Sequence, residues 1–484
     1  MSTTAAPPTP DASGGLDPRR WIALALLAVA EFVVVLDASI MNIALPSIGS
    51  ELHVSTDTLS WVINAYVLAF GGLLLLGGRL ADLLGRRRVF MVGLVVFGLA
   101  SLAGGLAATS TQLIVARAVQ GLGAAALAPA ALSIVTTLFP EGRERNRALS
   151  IWGAVAGSGG VAGVLLGGIL TSGLGWEWVL FVNVPLALGA AVLAPRLFDE
   201  TRIATPGGRI DWAGAITVTA AMVTVVYALV EANSAGWTSV QTLGLLALGA
   251  VLGAAFVAIE RRVAQPLVPL DIFRARHVRA ANVAMIAAAS AMFGLFFFLS
   301  LYLQQVLGYS ALEAGVSQLP LAGSLVVAAG GAASLAERFG IKVVLLGGLA
   351  LFAAGLLWFA QIPVHGTFLA DILGPSLLVG VGLALAFVAL TIGSVTGVEE
   401  ARYGLASGLV NTSQQIGGAL GLAILIAVAD NATASSGAQG LAALNDGFRA
   451  ALLVAAGLAA VGFVLAALLT PGRETAEGAV PSAA

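Results

Sequence analysis

Apolar residues run along this chain in long blocks, separated by short segments that hold nearly all the charge. A helix needs about 20 apolar residues to cross the hydrocarbon core of a bilayer. Fourteen blocks meet that length: 21–45, 57–77, 89–108, 111–136, 148–170, 177–195, 211–231, 238–259, 280–303, 312–332, 343–361, 368–391, 403–428 and 447–470. The pattern predicts fourteen membrane-crossing helices. The first block is too long and too acidic for a secretory leader. The Pro/Ser/Thr/Gly-rich start of the chain and the segment from Pro471 read as polar tails.

Charge placement tests the count. With both tails on the cytoplasmic side, the inside loops are those that follow even-numbered spans, and each of them is basic. Arg79, Arg86, Arg87 and Arg88 follow span two, and Arg143, Arg145 and Arg147 follow span four. Arg196, Arg202 and Arg209 follow span six, and Arg261, Arg262, Arg274, Arg276 and Arg279 follow span eight. Arg338 and Lys342 follow span ten, Arg402 follows span twelve, and Arg19, Arg20 and Arg473 lie in or beside the tails. These are 21 of the 23 Lys and Arg; the others are Arg117 within span four and Arg449 at the start of span fourteen. Positive charge collects on the side that is not translocated, and a missed span would invert the alternation downstream.

Composition then excludes classes. The chain is 59% hydrophobic and 10% charged, against roughly 25% charged in soluble domains. A net charge of -2 argues against nucleic acid as a partner. There is no cysteine, and His53, His277 and His365 lie far apart, so no metal site or cofactor is implied. No phosphate-binding loop is present, which excludes ATP-driven pumping by this chain. Neither a selectivity-filter ring nor a convergent set of catalytic groups can be found, which argues against a channel or an enzyme.

The loop after span two reads Gly78-Arg-Leu-Ala-Asp82-Leu-Leu-Gly85-Arg86-Arg87, and the one after span ten reads Ala333-Ser-Leu-Ala-Glu337-Arg-Phe-Gly340-Ile-Lys342. Acid, glycine and base recur at equal spacing, which suggests two related six-helix halves. Residues 21–196 would form the first bundle and 263–470 the second. Residues 197–262 would be an inserted pair, spans seven and eight with their linkers, and 1–20 and 471–484 the tails.

These segments resemble the major facilitator superfamily, in particular its fourteen-span drug:proton antiporter branch. The resemblance covers residues 21 to 470. Gly78–Arg87 matches the superfamily's loop motif. Leu36–Pro46 (with Asp37 and Asn42), Arg117–Gly123 and Trp176–Pro185 resemble the branch's signatures in spans one, four and six; Tyr302–Gln305 and Ala406–Gln415 resemble those of the second half. Two positions depart: Val164 stands where the fifth-span motif has proline after Gly163, and Glu177 where the sixth-span motif has arginine. The resemblance implies an all-α integral membrane fold of two six-helix bundles plus two inserted helices, with both termini cytoplasmic. It further implies a monomer in a bacterial plasma membrane, exporting small hydrophobic compounds in exchange for protons. The runner-up is a carrier dedicated to one metabolite or antibiotic.

Ionisable groups inside a membrane span are costly and are therefore functional candidates. Glu31, Asp37 and Arg117 stand well inside. At 1.5 Å per residue Asp37 lies roughly 24 Å from the inner edge of the core and Arg117 about 9 Å from the outer edge, which is nearly the same level. Glu31 is six residues from Asp37, hence about 120° away around the helix, near the depth of Gln120. A carboxyl that keeps its charge beside Arg117 and takes up a proton when separated from it can carry that proton across. The alternative is a permanent pair holding spans one and four together. Glu31 is either a second proton or cation site or a buried, permanently neutral acid.

Four further sets are singled out. Gly78, Asp82, Gly85, Arg86 and Arg87 form a candidate conformational latch: Gly85 permits a tight turn, and Asp82 can cap the adjacent helix and pair with an arginine. Alternatively the basic cluster sets topology alone. Gly159, Gly163, Gly167 and Gly168 give span five a small-residue face suited to close packing against the other half. Ser407, Asn411 and Gln415 recur every four residues in span thirteen with Gln414 at the edge, a stripe that lines a cavity or binds a neighbouring helix. Tyr66 and Gln120 complete the candidate substrate cavity.

Overall fold

Each apolar block folds into one helix, because lipid leaves backbone polar groups no other way to be satisfied. The computed structural model describes residues 19–139, 143–201, 211–399 and 402–471. Residues 1–18 and 472–484 of the tails, Arg202, Arg209 and Arg473 lie outside the described residues, and Arg20 belongs to the first helix and not to the tail. The helices are α1 (Arg20–Glu51), α2 (Thr56–Leu84), α3 (Arg86–Gly105), α4 (Ser110–Leu138), α5 (Arg143–Gly173), α6 (Trp178–Leu197), α7 (Trp212–Val230) and α8 (Val240–Glu260). They continue as α9 (Arg276–Val306, π-helical from Tyr302), α10 (Ala311–Phe339), α11 (Ile341–Phe359), α12 (Phe368–Val395), α13 (Tyr403–Ser435) and α14 (Leu441–Leu469). Thirteen are long and apolar enough to span by their described residues; α5, whose apolar stretch covers Ser158–Gly173, is the fourteenth. Starts are set by side-chain caps: Ser55 on α2, Thr109 on α4, Asp211 on α7, Ser239 on α8, and a Ser310/Glu313 capping box on α10.

The internal repeat is visible in the packing. Gly85 links α2 to α3 at φ 110°, and Gly340 links α10 to α11 at φ 90°, a left-handed region where glycine is favoured. In the first bundle a Cβ on Gly123 of α4 would lie 2.6 Å from the Phe97 nitrogen of α3; in the second, a Cβ on Gly382 of α12 would lie 2.4 Å from the Phe352 nitrogen of α11. Gly159 and Gly163 of α5 press on the α1 backbone at Phe32 and Leu36, as Gly417 and Gly421 of α13 press on α9 at Ile286 and Ser290. The same four-helix scaffold is thus built twice, by glycines that let backbones touch.

The inserted pair packs on one side of the seam between bundles. Thr219 of α7 meets α2 at Gly72, the Trp61 and Tyr227 rings lie 6.1 Å apart, and Leu68, Met222, Val226, Ile416 and Leu420 surround an apolar cavity of about 160 Å³ between α2, α7 and α13. α8 packs on α7 and leaves Val240 and Val251 largely exposed, as suits a lipid-facing helix.

Candidate functional site

The first bundle buries an ion pair inside a hydrogen-bond network. Arg117 Nη1 donates to Asp37 Oδ2 at 2.6 Å and to Gln120 Oε1 at 2.6 Å, and Arg117 Nε donates to the Val62 carbonyl at 3.1 Å. Gln120 Nε2 donates to Asp37 Oδ1 at 2.7 Å and to Ser101 Oγ at 2.8 Å, while Asn183 Nδ2 donates to the same Asp37 oxygen at 2.8 Å. The guanidinium stacks 4.3 Å from the Tyr66 ring centre. Asp37, Gln120, Ser101 and Asn183 are fully buried and Arg117 nearly so. Residues of α4 and α6 bond the carboxylate of α1 directly, while α2 and α3 hold Arg117 and Gln120. Paired and hydrogen-bonded on both oxygens, it can stay charged out of water. The depth estimate from sequence brought Asp37 and Arg117 together; it did not find Ser101 or Asn183. The signal for Asn183 was its place in a span-six motif, whereas Ser101 carried none.

Glu31 belongs to a different surface. Glu31, Ala38 and Asn42 recur at spacings of seven and four, so they share one side of α1, about 120° from Asp37. Ala38 is exposed and Glu31 and Asn42 are partly exposed. Glu31 Oε2 is buried and has no hydrogen-bond partner among the described residues. On α13 the exposed side is Ser407, Asn411 and Gln414, with Asn411 the most open.

The structure splits the other residue sets. Gln415 is 7% exposed and its Cβ packs on Gly71 of α2, so it leaves the Ser407–Asn411 side: steps of four residues drift around a helix, and a four-then-three spacing holds the face. Tyr66 and Gln120 are buried within the first bundle and not exposed toward a cavity. The glycine face of α5 meets α1 of its own bundle at Gly159, Gly163 and Gly167, not the other half as its spacing suggested. The second bundle is reached one helical step around, where Gly168 abuts Ala311 and Leu312, and Gly315 abuts the Val164 carbonyl; a Cβ on Gly315 would lie 2.6 Å from that oxygen.

The latch has an unforeseen member. Glu200, just beyond α6, accepts the Arg87 and Arg88 backbone N–H groups, both at 3.1 Å, and so caps α3. Asp82 does not provide this cap. It sits in the last turn of α2, four residues before Arg86, and pairs with that arginine at 3.5 Å. Arg87 Nη1 donates to the Phe198 carbonyl, Arg86 N–H donates to the Thr201 carbonyl, and Arg86 also bonds Thr137. Residues 198–201 therefore pack with the first bundle and not with the inserted pair.

The bundles meet directly at the end opposite the arginine-rich loops. Ser300 Oγ donates to the Asn42 carbonyl at 2.6 Å, Gln304 Nε2 to the Ile43 carbonyl at 3.1 Å, and the Leu312 N–H to Ser172 Oγ at 3.1 Å. A cavity of about 550 Å³ opens beside these contacts, lined by Ser47, Ser50, Gln304, Gln305 and Tyr309 among others. At the arginine-rich end Arg79 bonds Gln265, Leu75 meets Gly408, and Asp271 pairs with Arg402 at 2.6 Å. That arginine holds the Asp271 carboxyl below the usual range.

Two repeated helical bundles around a shared axis of contact, with charge buried in one of them, define a polytopic membrane transporter. The chain belongs to the Major Facilitator Superfamily, whose family model matches residues 27–422. It is 40% identical to the puromycin resistance protein pur8 of Streptomyces alboniger, over 99% of this chain and 97% of that one. It is 41% identical to the cephamycin export protein CmcT of Amycolatopsis lactamdurans, over 95% of this chain and 94% of the other. Among solved structures, the POT family transporter PepTSo superposes with a TM-score of 0.66 at 16% identity, over 93% of this chain and 98% of that one, a likeness of fold alone. The family and these relatives are transporters and not enzymes, and the chain is a multi-pass membrane protein of the plasma membrane.

Proposed function

We propose that this protein exports hydrophobic cationic or neutral compounds from the cytoplasm in exchange for protons. The observation that carries the reading is the division of labour on α1: Asp37 is neutralised inside the first bundle, while Glu31 stands on an accessible side with a buried oxygen left unpartnered. Glu31 takes up a proton or meets a cationic cargo. Arg117, Gln120 and Asn183 hold Asp37 so that movement of α1 against α4 changes the cost of its charge. Ser407, Asn411 and Gln414 offer hydrogen bonds to the cargo from the second bundle. Contacts of Asn42, Ile43 and Ser172 with Ser300, Gln304 and Leu312 close the outer end, and the Gly78–Arg87 loop, held by Glu200, steadies the inner one. The basic loops support cytoplasmic termini. A proton moving down a 100 mV potential contributes about 2.3 kcal/mol per charge, enough for modest accumulation by a monomer.

That the two relatives named above are called after single antibiotics favours a second reading, a carrier dedicated to one compound. Energised inverted vesicles decide. Internal pH is followed while a lipophilic cation such as ethidium, then puromycin, then a cephamycin, which carries a carboxylate, are added in turn to wild type and to Asp37→Asn. Proton release on adding several unrelated compounds, lost in the variant, supports multidrug antiport. A response to one compound alone supports the dedicated carrier, and silence toward all would overturn both.

A further inference from the structure

The inserted pair ends, on the side of the arginine-rich loops, in two buried acids. Asp211 caps α7, its Oδ1 accepting the Gly214 N–H at 2.8 Å, and Glu260 closes α8, its Oε2 accepting the Val268 N–H at 2.9 Å. They are 5% and 4% exposed. Asp211 Oδ2 and Glu260 Oε1 are buried and accept no hydrogen bond among the described residues. The side chains lie within hydrogen-bonding reach of each other across Gly214, where a Cβ would stand 2.5 Å from Asp211 Oδ2 and 2.7 Å from Glu260 Oε1. α7 presents Asp211 and α8 presents Glu260. The linker presents only the Val268 and Leu267 N–H groups. Arg79 of α2 is taken by Gln265, and Arg261 and Arg262 are exposed. Among the described residues no cation pairs with either carboxylate.

Two ionised carboxylates cannot face one another in a buried site without a counter-charge, but one proton between them turns repulsion into a short, charge-assisted hydrogen bond. We propose that Asp211 and Glu260 are a second proton-binding site, outside the path across the membrane, in which one shared proton fastens the inserted pair to the linker entering the second bundle. The protonated acid donates its O–H to the partner carboxylate. When the proton passes to cytoplasmic water, two anions remain and the contact opens. Val268, held by Glu260, packs in one cluster with Leu76 of α2, Ala215 of α7 and Leu409 of α13. The site would therefore make the seam between the bundles sensitive to cytoplasmic pH. The linkage to transport rests on the export reading; the proton site itself does not.

The test is infrared spectroscopy of the full chain in lipid vesicles, all in a Glu31→Gln background that removes the band of the other unpartnered buried acid, comparing the wild-type pair with Glu260→Gln, Asp211→Asn and the exposed control Glu399→Gln. Asparagine still caps a helix, and glutamine can accept from Val268 and donate to Asp211, so both variants keep the local bonds. At neutral pH the wild-type pair should show a protonated-carboxyl band that vanishes on alkalinisation, is missing from both pair variants and persists in the control. Wild-type Tm should fall from neutral to alkaline pH and that of Glu260→Gln should not. A band that survives in both pair variants overturns the proposal. So does its absence from the wild-type pair, or a carboxylate signal that appears only with added calcium or magnesium, which would make the site a cation site. Neither readout involves transport, so a failure here is separate from a failure of the export reading.

Discussion

Counting residues from the matched glycine contacts of the two bundles sets Arg117 of α4 against Ser376 of α12, and Asp37 of α1 against Ala291 of α9. All four are buried. Where the first bundle holds an ion pair with three further polar partners, the second holds a methyl and a hydroxyl that has no partner among the described residues. The helix contacts made by Gly123 and Gly382, or by Gly163 and Gly421, are equivalent. Packing and charge are thus separable: the scaffold needs the glycines, and the charge is an addition to one copy of it. A buried charge is kept only where its polar network is satisfied, and the first bundle supplies such partners at Gln120, Ser101 and Asn183.

This contrast can be broken at several points. The largest effect is expected from Arg117→Leu, which leaves Asp37 buried without its counter-charge. Losing one partner of a buried pair costs about 3–5 kcal/mol; Tm in detergent should drop by many degrees, and vesicle transport should fall to background. Asp37→Asn should retain more stability than Arg117→Leu and still abolish coupled transport. Next come Gly163→Val and Gly421→Val, each expected to cost about 1–3 kcal/mol by overpacking. Similar losses in Tm for the two would support equivalence of the bundles, and a tolerated Gly421→Val would undo it. Glu200→Ala should cost about 1 kcal/mol through the lost cap of α3, read as earlier amide exchange in that helix's first turn. Ser376→Ala removes an unpartnered buried hydroxyl and should leave Tm unchanged or slightly raised, in contrast to any change at Arg117. Smallest is the exposed Asp271–Arg402 pair. Its carboxyl is held low in the folded state, so its contribution is present above the unfolded value and is lost as pH falls through the folded one. Asp271→Asn should shift Tm only marginally, and less still in high salt.

The fourteen helices were legible because lipid imposes a length and the arginines mark a side, two signals that check one another. Asp37 with Arg117 was legible through rise per residue, since two charges at one depth have little alternative to meeting. What escaped was angular. The α5 glycines held one face at a spacing of four, but the spacing does not say which helix that face meets, and it met α1; the α13 stripe drifts around its helix, so Gln415 turned to α2. Glu200 escaped for another reason. It acts across 113 residues of chain on a loop whose own Asp82 offered a nearer candidate, and no local pattern announces a partner at that distance.

The contact of Gly315 with the Val164 carbonyl has a mechanical meaning. Elsewhere between the bundles, side chains can change rotamer and take up movement like springs. Here main chain rests on main chain, with no compliant layer between. Such a point resists compression and permits rolling, so it behaves as a bearing. The bundles would then tilt about the ends of α5 and α10 that lie opposite the arginine-rich loops, and the sweep would grow with distance from that fulcrum, largest at those loops.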